Sequence, residues 1–558
     1  MAGRIRIIIF FFLVAWIVLV YRLFYWQVGS FNKLFSSAKL QHQAQKEIDS
    51  LRGKIFTSDN FPLVLNKESY LVFVDPTKIK DSLKDYEKIS KVISFGKDEF
   101  LKIVENKKIQ WYPIAKEVDL KVKEQLQNEN IEGIGFEPHW EREYPEASAA
   151  AHLLGFVGSD ELGEEKGYFG LEGFYNRELK GTPGERSWEK DLYGRSIVIG
   201  SDLEKKPKQG RDLFLFLNRS LQFLVEKELK NGIEKYGAIS GSVVVLDPQS
   251  GGVLAMASIP SFDIINFSKE DQEKFSNPII SGSFEPGSIF KPLVMATAID
   301  LNLVNQSTIC EECSGQVQIG EYTIKTWNEK YYPNSTMREI IQHSDNVGMV
   351  FVAKKIGVDN LFHYLTLFGI GQKTNVDLEG EWSPVLRPKD SWTQIDLATS
   401  GFGQGVAVTP IQMIRAFAAI ANGGKLMTPK VVEKMKEGEK EIFMKEGSPK
   451  QIIKPVTAKV MTEMLVNAVE NGEAKWAKPK GYKIAGKTGT AQIPFAGHYD
   501  KEKTVASFIG FAPAENPKFA MLVTLKEPKT SPWGSETAAP LWFQIAKGIF
   551  SLWGIPPG

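Results

Sequence analysis

A serine followed three residues later by a lysine, Ser288-Ile289-Phe290-Lys291, stands directly after Glu285-Pro286-Gly287. Pro286-Gly287 breaks the chain, and an apolar-spaced stretch follows with Ile289, Leu293, Ala296 and Ile299. That pattern puts Ser288 at the start of a helix. Lys291, at i+3, lies over the same face. The helix end offers backbone N–H groups to a developing oxyanion. The same positive end, with burial, favours a neutral lysine amine able to take the serine proton. This is the chemistry of a serine acyl-transfer enzyme, and it requires no histidine. Taken alone the pattern is ordinary: many helices open with a serine and carry a lysine one turn on.

Two further motifs share the burden. Ser344-Asp345-Asn346 falls within a helical stretch read over residues 337–352. Ser344 is placed to relay the proton to a leaving amine, and Asn346 to hold Lys291 and a substrate amide. Asp345 is counted with the substrate-binding residues. Late in the chain, Lys487-Thr488-Gly489-Thr490 reads as a strand. Gly489 removes a side chain where a substrate backbone would lie close, and an edge strand takes an extended peptide by strand addition. Lys487 with Thr488 or Thr490 is expected to bind a substrate carboxylate, and the Thr490 N–H to be the second oxyanion donor. Each motif alone is weak. Together, in this order and in these contexts, they form the trio of penicillin-binding proteins and class A β-lactamases, with Lys291 taken as the acylation base.

The elements that must position them are legible in outline. A short apolar strand over 213–217 is followed by a helix whose face carries Leu221, Leu224, Val225 and Leu229. Residues 242–246 and 253–256 flank a turn-rich loop and read as a hairpin. Residues 410–421 read as a helix, and 504–510 and 519–525 as strands split by Pro513-Ala514-Glu515-Asn516-Pro517. Strands that open and close this half with helices between them imply an α+β fold, an antiparallel sheet carrying helices. Charged stretches such as 78–102 look like solvated helices of an accessory region, and residues 204–210 like a polar linker with breakers Pro207 and Gly210.

At 558 residues the chain should hold two or three domains. Lys+Arg 68 against Asp+Glu 67 gives a net charge of +1 and argues against a nucleic-acid partner. Residues 7–20 are an unbroken apolar run, extended to Val28 with Arg22 as the only charge. This suffices for a membrane span. Arg4 and Arg6 before it predict a cytoplasmic N-terminus, and the aromatic Leu23-Phe24-Tyr25-Trp26 replaces the small-residue site of a cleaved signal. The expectation is a single-pass inner-membrane protein whose remaining domains lie outside the cytoplasm. Cys310 and Cys313 are the only cysteines. With no companion ligand pair they read as a loop staple or two free thiols rather than a metal or redox centre.

The chain resembles the class B, monofunctional penicillin-binding proteins. The likeness rests on the active-site trio and on Arg52-Gly53-Lys54-Ile55, Arg142-Glu143-Tyr144-Pro145, Ala150-Ala151-His152-Leu153-Leu154-Gly155, Gly170-Leu171-Glu172 and Gly403-Gln404-Gly405 with Thr409-Pro410 and Gln412. The resemblance implies an anchor over 1–28, a non-catalytic pedestal or dimerisation module over 29–210, and a transpeptidase domain over 211–558. That domain would hold a five-stranded antiparallel sheet with helices on both faces. It implies a serine-type D-Ala-D-Ala transpeptidase acting on peptidoglycan stem peptides, with D,D-carboxypeptidase activity as a side reaction. β-Lactams would be bound at Ser288, a glycosyltransferase and division proteins would be partners, and no cofactor or metal would be needed. The stretch 392–399 leading into Gly403, the Lys487-Thr488-Gly489-Thr490-Ala491 run and Thr537-Ala538-Ala539-Pro540 resemble the division type. The elongation type is the alternative, and a membrane-anchored serine β-lactamase the more distant one. Asp59-Asn60-Phe61 and Asn218 depart from the common forms.

Overall fold

In the computed structural model, which describes residues 2–189, 202–444, 448–495 and 498–558, the sheet that carries the site is five-stranded and antiparallel. Its order is Val253–Ile259, Ser240–Leu246, Phe519–Lys526, His498–Ala512 and Ala485–Phe495. The Lys487 strand is therefore an edge. The strand Ser240–Leu246 pairs Val243 with Ala257 on one side and with Val523 on the other. Its side chains alternate between two cores. Val243 and Val245 join Leu221, Phe508 and Trp542, whereas Val244 and Leu246 join Phe417 and Leu522. Helices cover both faces, so both alternating sets are apolar, which is why this strand reads as a continuous hydrophobic run.

One helical layer contains Arg219–Tyr236 and Ala538–Leu552; the other includes Lys291–Asp300, Pro410–Ala421 and Pro455–Asn471. Asn218, where the resemblance led one to expect aspartate, caps the first of these helices: its side chain accepts from the Leu221 N–H at 3.0 Å. Asparagine caps about as well as aspartate, so the departure costs little.

The helical reading of 337–352 needs correction. The chain forms two helices, Met337–His343 and Asn346–Ile356, broken at Ser344, whose φ is +57°. A non-glycine residue there carries about 1–3 kcal/mol of strain. The break brings the backbone of Ser344 to the surface of the site.

A second sheet of seven strands draws on distant parts of the chain. Along its main path run Lys440–Phe443, Val432–Glu437, Asp212–Leu215, Ile55–Phe56, Pro62–Val74 and Tyr112–Val118, and Ile134–Glu143 also pairs with Pro62–Val74. The charged stretch 78–102 does contain helices, Ser82–Ser90 and the start of Lys97–Glu105. They are amphipathic rather than wholly solvated: Ile89 and Phe100 are buried against Val72 and Leu126. Arg142 and Glu172 meet in the same unit. Arg142 Nε and Nη2 donate to Glu172 Oε1 at 2.8 and 2.6 Å, and Nη1 donates to Asn66 Oδ1 at 2.7 Å.

Residues 1–52 and 180–210 form a separate compact unit. It holds the helix Ala2–Phe24 and a three-stranded sheet of Gln43–Ile48, Gly184–Glu189 and Asp202–Lys205. Thus Glu204 and Lys205, read as linker, close a strand: alternation is too short there to register against a charged composition. Among the described residues, one helical segment, Gly3–Gly29, is long and apolar enough to cross a membrane. Cys310 and Cys313 form a disulfide, with Cα atoms 5.6 Å apart and both side chains buried.

Candidate active site

Ser288 lies on a 3-10 turn, Gly287–Phe290, that runs into the helix Lys291–Asp300. The Lys291 backbone N–H donates to the Ser288 carbonyl. In a 3-10 turn residues i and i+3 eclipse, so this geometry stacks Lys291 over Ser288 more directly than a plain α-helical start would. No hydrogen bond among the described residues engages the Ser288 hydroxyl.

Lys291 is fully buried. Its Nζ lies 2.6 Å from the Ser344 carbonyl oxygen, 2.8 Å from Asn346 Oδ1 and 3.2 Å from Ser344 Oγ. Lys487 reaches the same hydroxyl from the strand side, donating to Ser344 Oγ at 2.9 Å and to the Thr488 carbonyl and hydroxyl at 3.2 Å each. Two buried lysines thus converge on one hydroxyl. Burial, and next the charge of Lys487, hold Lys291 well below the ordinary lysine range, with Asp345 and Glu473 opposing. Burial lowers Lys487 to about 8, against Glu473. Burial and the charge of Lys487 beside it therefore favour the neutral form of the Lys291 amine. A neutral amine has two N–H donors and one lone pair. The Ser344 carbonyl and Asn346 Oδ1 take the donors, and the lone pair is left toward Ser344 Oγ at 3.2 Å.

Ser288, Ser344, Asn346, Thr488, Gly489 and Thr490 line one cleft. Lys291 and Lys487 sit beneath it, buried. Asp345 does not belong to the lining. It is 2% exposed, and its Oδ1 accepts from the backbone N–H groups of Val347 and Gly348 at 2.8 and 3.2 Å. It caps the helix Asn346–Ile356, so the expectation that it binds substrate is corrected to a structural role; Asp at an N-cap is favoured for this hydrogen bond. Gly489 is also needed for a reason within the protein itself. A Cβ there would come 2.4 Å from Ser507 Oγ and 2.8 Å from Ile289 Cγ2. The missing side chain lets the strand seat against the Ser288 turn. Thr490 Oγ1 accepts from the Gly534 N–H at 2.9 Å, which ties the strand to the loop before the last helix. We predict that Gly489→Ala lowers stability by about 1–3 kcal/mol through overpacking, seen as a lower urea midpoint by tryptophan fluorescence. An unchanged midpoint would mean that Ser507 swings away without cost.

Sequence reasoning missed several lining residues. Trp327 and Trp533 pack edge to face at the rim with centroids 5.0 Å apart, and Phe402 and Glu473 complete the wall. Nothing in their local sequence marks them, because loops distant in the chain bring them in. Gln404, noted only for its motif, lines the cleft as well.

Comparison with known proteins agrees with this geometry. Residues 241–550 match the penicillin binding protein transpeptidase domain, and residues 47–215 the penicillin-binding protein dimerisation domain. Stage V sporulation protein D of Bacillus subtilis is 31% identical over 99% of this chain and 86% of its own length. Peptidoglycan D,D-transpeptidase FtsI of Escherichia coli is 31% identical over 98% of this chain and 91% of its own. The crystal structure of penicillin binding protein 3 of Mycobacterium tuberculosis, complexed with aztreonam, superposes with a TM-score of 0.72 at 25% identity, covering 92% of this chain and 98% of that one.

Proposed function

As the chain belongs to the class B penicillin-binding proteins and is a peptidoglycan D,D-transpeptidase, we propose that Ser288 is its nucleophile and Lys291 its general base. The single observation that carries this is the placement of Lys291, a buried amine one turn from Ser288 whose Nζ is held by the Ser344 carbonyl and Asn346 Oδ1. The Ser288 hydroxyl attacks the carbonyl of the penultimate D-Ala of a stem peptide and its proton passes to Lys291 Nζ. The peptide C–N bond breaks, and the leaving D-Ala amine takes a proton relayed through Ser344. The acyl-enzyme is then attacked by an amine of a neighbouring stem peptide. The new amide N loses its proton to the base, and Ser288 is released with its hydroxyl restored. The backbone N–H groups of Ser288 and Thr490 serve the oxyanion. The Lys487 ammonium, with Thr488 and Thr490, receives the donor carboxylate.

β-Lactams, as in the mycobacterial aztreonam complex, would acylate the same serine. The apolar helix would anchor the chain in the inner membrane with its N-terminus cytoplasmic and the cleft outside. The division role follows from the sequence likeness in the 392–405 stretch and in Thr537-Ala538-Ala539-Pro540; a glycosyltransferase and other division proteins are the partners it implies. Depletion that gives filaments supports it, and rounding points to elongation. The test of the chemistry is to label wild-type protein with a fluorescent penicillin and map the adduct by mass spectrometry. We expect a stable adduct on the peptide bearing Ser288. An adduct elsewhere, or none on folded protein, overturns the assignment, and rapid turnover favours a β-lactamase.

A further inference from the structure

Glu473 has no part in that mechanism, yet it stands in the wall of the cleft with Ser344, Asn346 and Thr488, and it is the one carboxylate among the described residues lining it. Its place is set by backbone packing. The helix Pro455–Asn471 ends at Gly472, whose N–H donates to the Ala468 carbonyl at 3.1 Å. A Cβ at 472 would lie 2.2 Å from that oxygen and 3.1 Å from the carbonyl oxygen of Gln342. A bare backbone therefore lets this helix end pass the end of Met337–His343, two residues before Ser344. Asn467 Nδ2 donates to Gln342 Oε1 at 2.8 Å and locks the two helices together. The next residue, Glu473, is delivered into the wall of the cleft that Ser344 also lines. Its Oε1 is buried and has no hydrogen-bond partner among the described residues. A carboxylate oxygen left so in a closed wall is costly unless a nearby cation balances it.

We propose that Glu473 is a positioning residue of the transpeptidase site, holding the Lys487 ammonium in its charged form so that it can grip the carboxylate end of the acyl donor. The inference rests on the reading of Ser288 and Lys487 given above. The charged groups around the two lysines come from three places. Lys291 approaches from the Ser288 helix and Asp345 from the helix break. His343 acts on Asp345, and Glu473 comes from the end of the 455–471 helix. Burial disfavours the Lys487 charge. Asp345 Oδ1 is taken by its own helix N–H groups, while its Oδ2, like Glu473 Oε1, has no hydrogen-bond partner among the described residues; of the two carboxylates it is Glu473 whose charge acts on Lys487. Glu473 is left as the counter-charge, and it raises Lys487 and Lys291 together. The consequence is that Glu473 sets where on the pH scale the two lysines change charge.

The sign is definite. Lys487 must be protonated to bind the carboxylate, so acylation falls as pH rises through its value of about 8. Lys291 must be neutral, so acylation falls at acid pH. Removing the Glu473 charge lowers both lysines and moves both limbs toward acid. The experiment measures the rate constant of Ser288 acylation by a fluorescent penicillin, which carries the carboxylate, from about pH 6 to about pH 10. Glu473→Gln is expected to move the alkaline limb down by about half a pH unit, a loss of about 3-fold on that flank. Glu473→Asp, which keeps the charge, is expected to retain the wild-type limb. A Gln variant with the limb unmoved overturns the proposal, even if its rate falls at every pH. So does a Gln and Asp pair that behave alike, since that marks a role of shape. Thermal melts confirm that the compared proteins are folded. Absence of a wild-type adduct on Ser288 would instead overturn the transpeptidase assignment of the serine itself.

Discussion

Lys291→Met is expected to slow acylation of Ser288 by about 1,000-fold, or about 4 kcal/mol in the barrier. Methionine matches the length of the lysine stem and keeps the buried space filled, so the loss reports the amine. Without that amine, the Ser288 proton has no neutral base stacked above it. Lys487 is no substitute, because at neutral pH it is a cation bound to the Ser344 and Thr488 oxygens. The variant also strips the Ser344 carbonyl and Asn346 Oδ1 of a donor, which costs about 1–3 kcal/mol of stability. The kinetic comparison is therefore made well below the melting temperature of both proteins. A time course of penicillin labelling checks the prediction, and a rate within 10-fold of wild type would remove Lys291 from the role of base.

The second large effect is on stability. Glu172→Ala is expected to destabilise the protein by about 3–5 kcal/mol, because it leaves the Arg142 guanidinium buried opposite a neutral amide. The pair is buried, with side chains 6% and 0% exposed. It bolts the strand Ile134–Glu143 to the short helix Gly170–Phe174. Lys80→Ala is the control. Its pair with Glu132 is 78% and 67% exposed, and loss of such a surface pair is expected to leave the unfolding midpoint nearly unchanged. Guanidinium unfolding followed by far-UV circular dichroism distinguishes the two. Equal small losses would mean that water reaches Arg142.

The contrast between what was legible in the sequence and what was not follows physical lines. The three active-site motifs and the five strands depend on local pattern, and local pattern is written in consecutive residues. The helix break at Ser344 was hidden because Met337 to His343 and Asn346 to Ile356 both have helical composition; what separates them is one strained residue, and no propensity reports strain accepted for a site. Asp345 was misread because a capping aspartate and a ligand-binding one look alike until burial is known. Gly489 was read as a close approach, and Ser507 and Ile289 are the protein groups that press on it. Glu473, Trp327 and Trp533 were invisible, since their role arises from packing between elements far apart in the chain.

The seven-stranded sheet imposes an order on the birth of the molecule. Leu213 pairs with Ile55 on one side and Met435 on the other, so the sheet closes only after the chain has been made well past residue 435. Until then, the strand Asp212–Leu215 presents an open edge, and open edges invite pairing with the wrong chain. Long-range pairing of this kind is slow. A chain emerging through a membrane would therefore pass through a stretch of its synthesis in which its first half is unfinished. Interruption late in translation should leave a product vulnerable to proteases and aggregation, even though most of its residues have already been made.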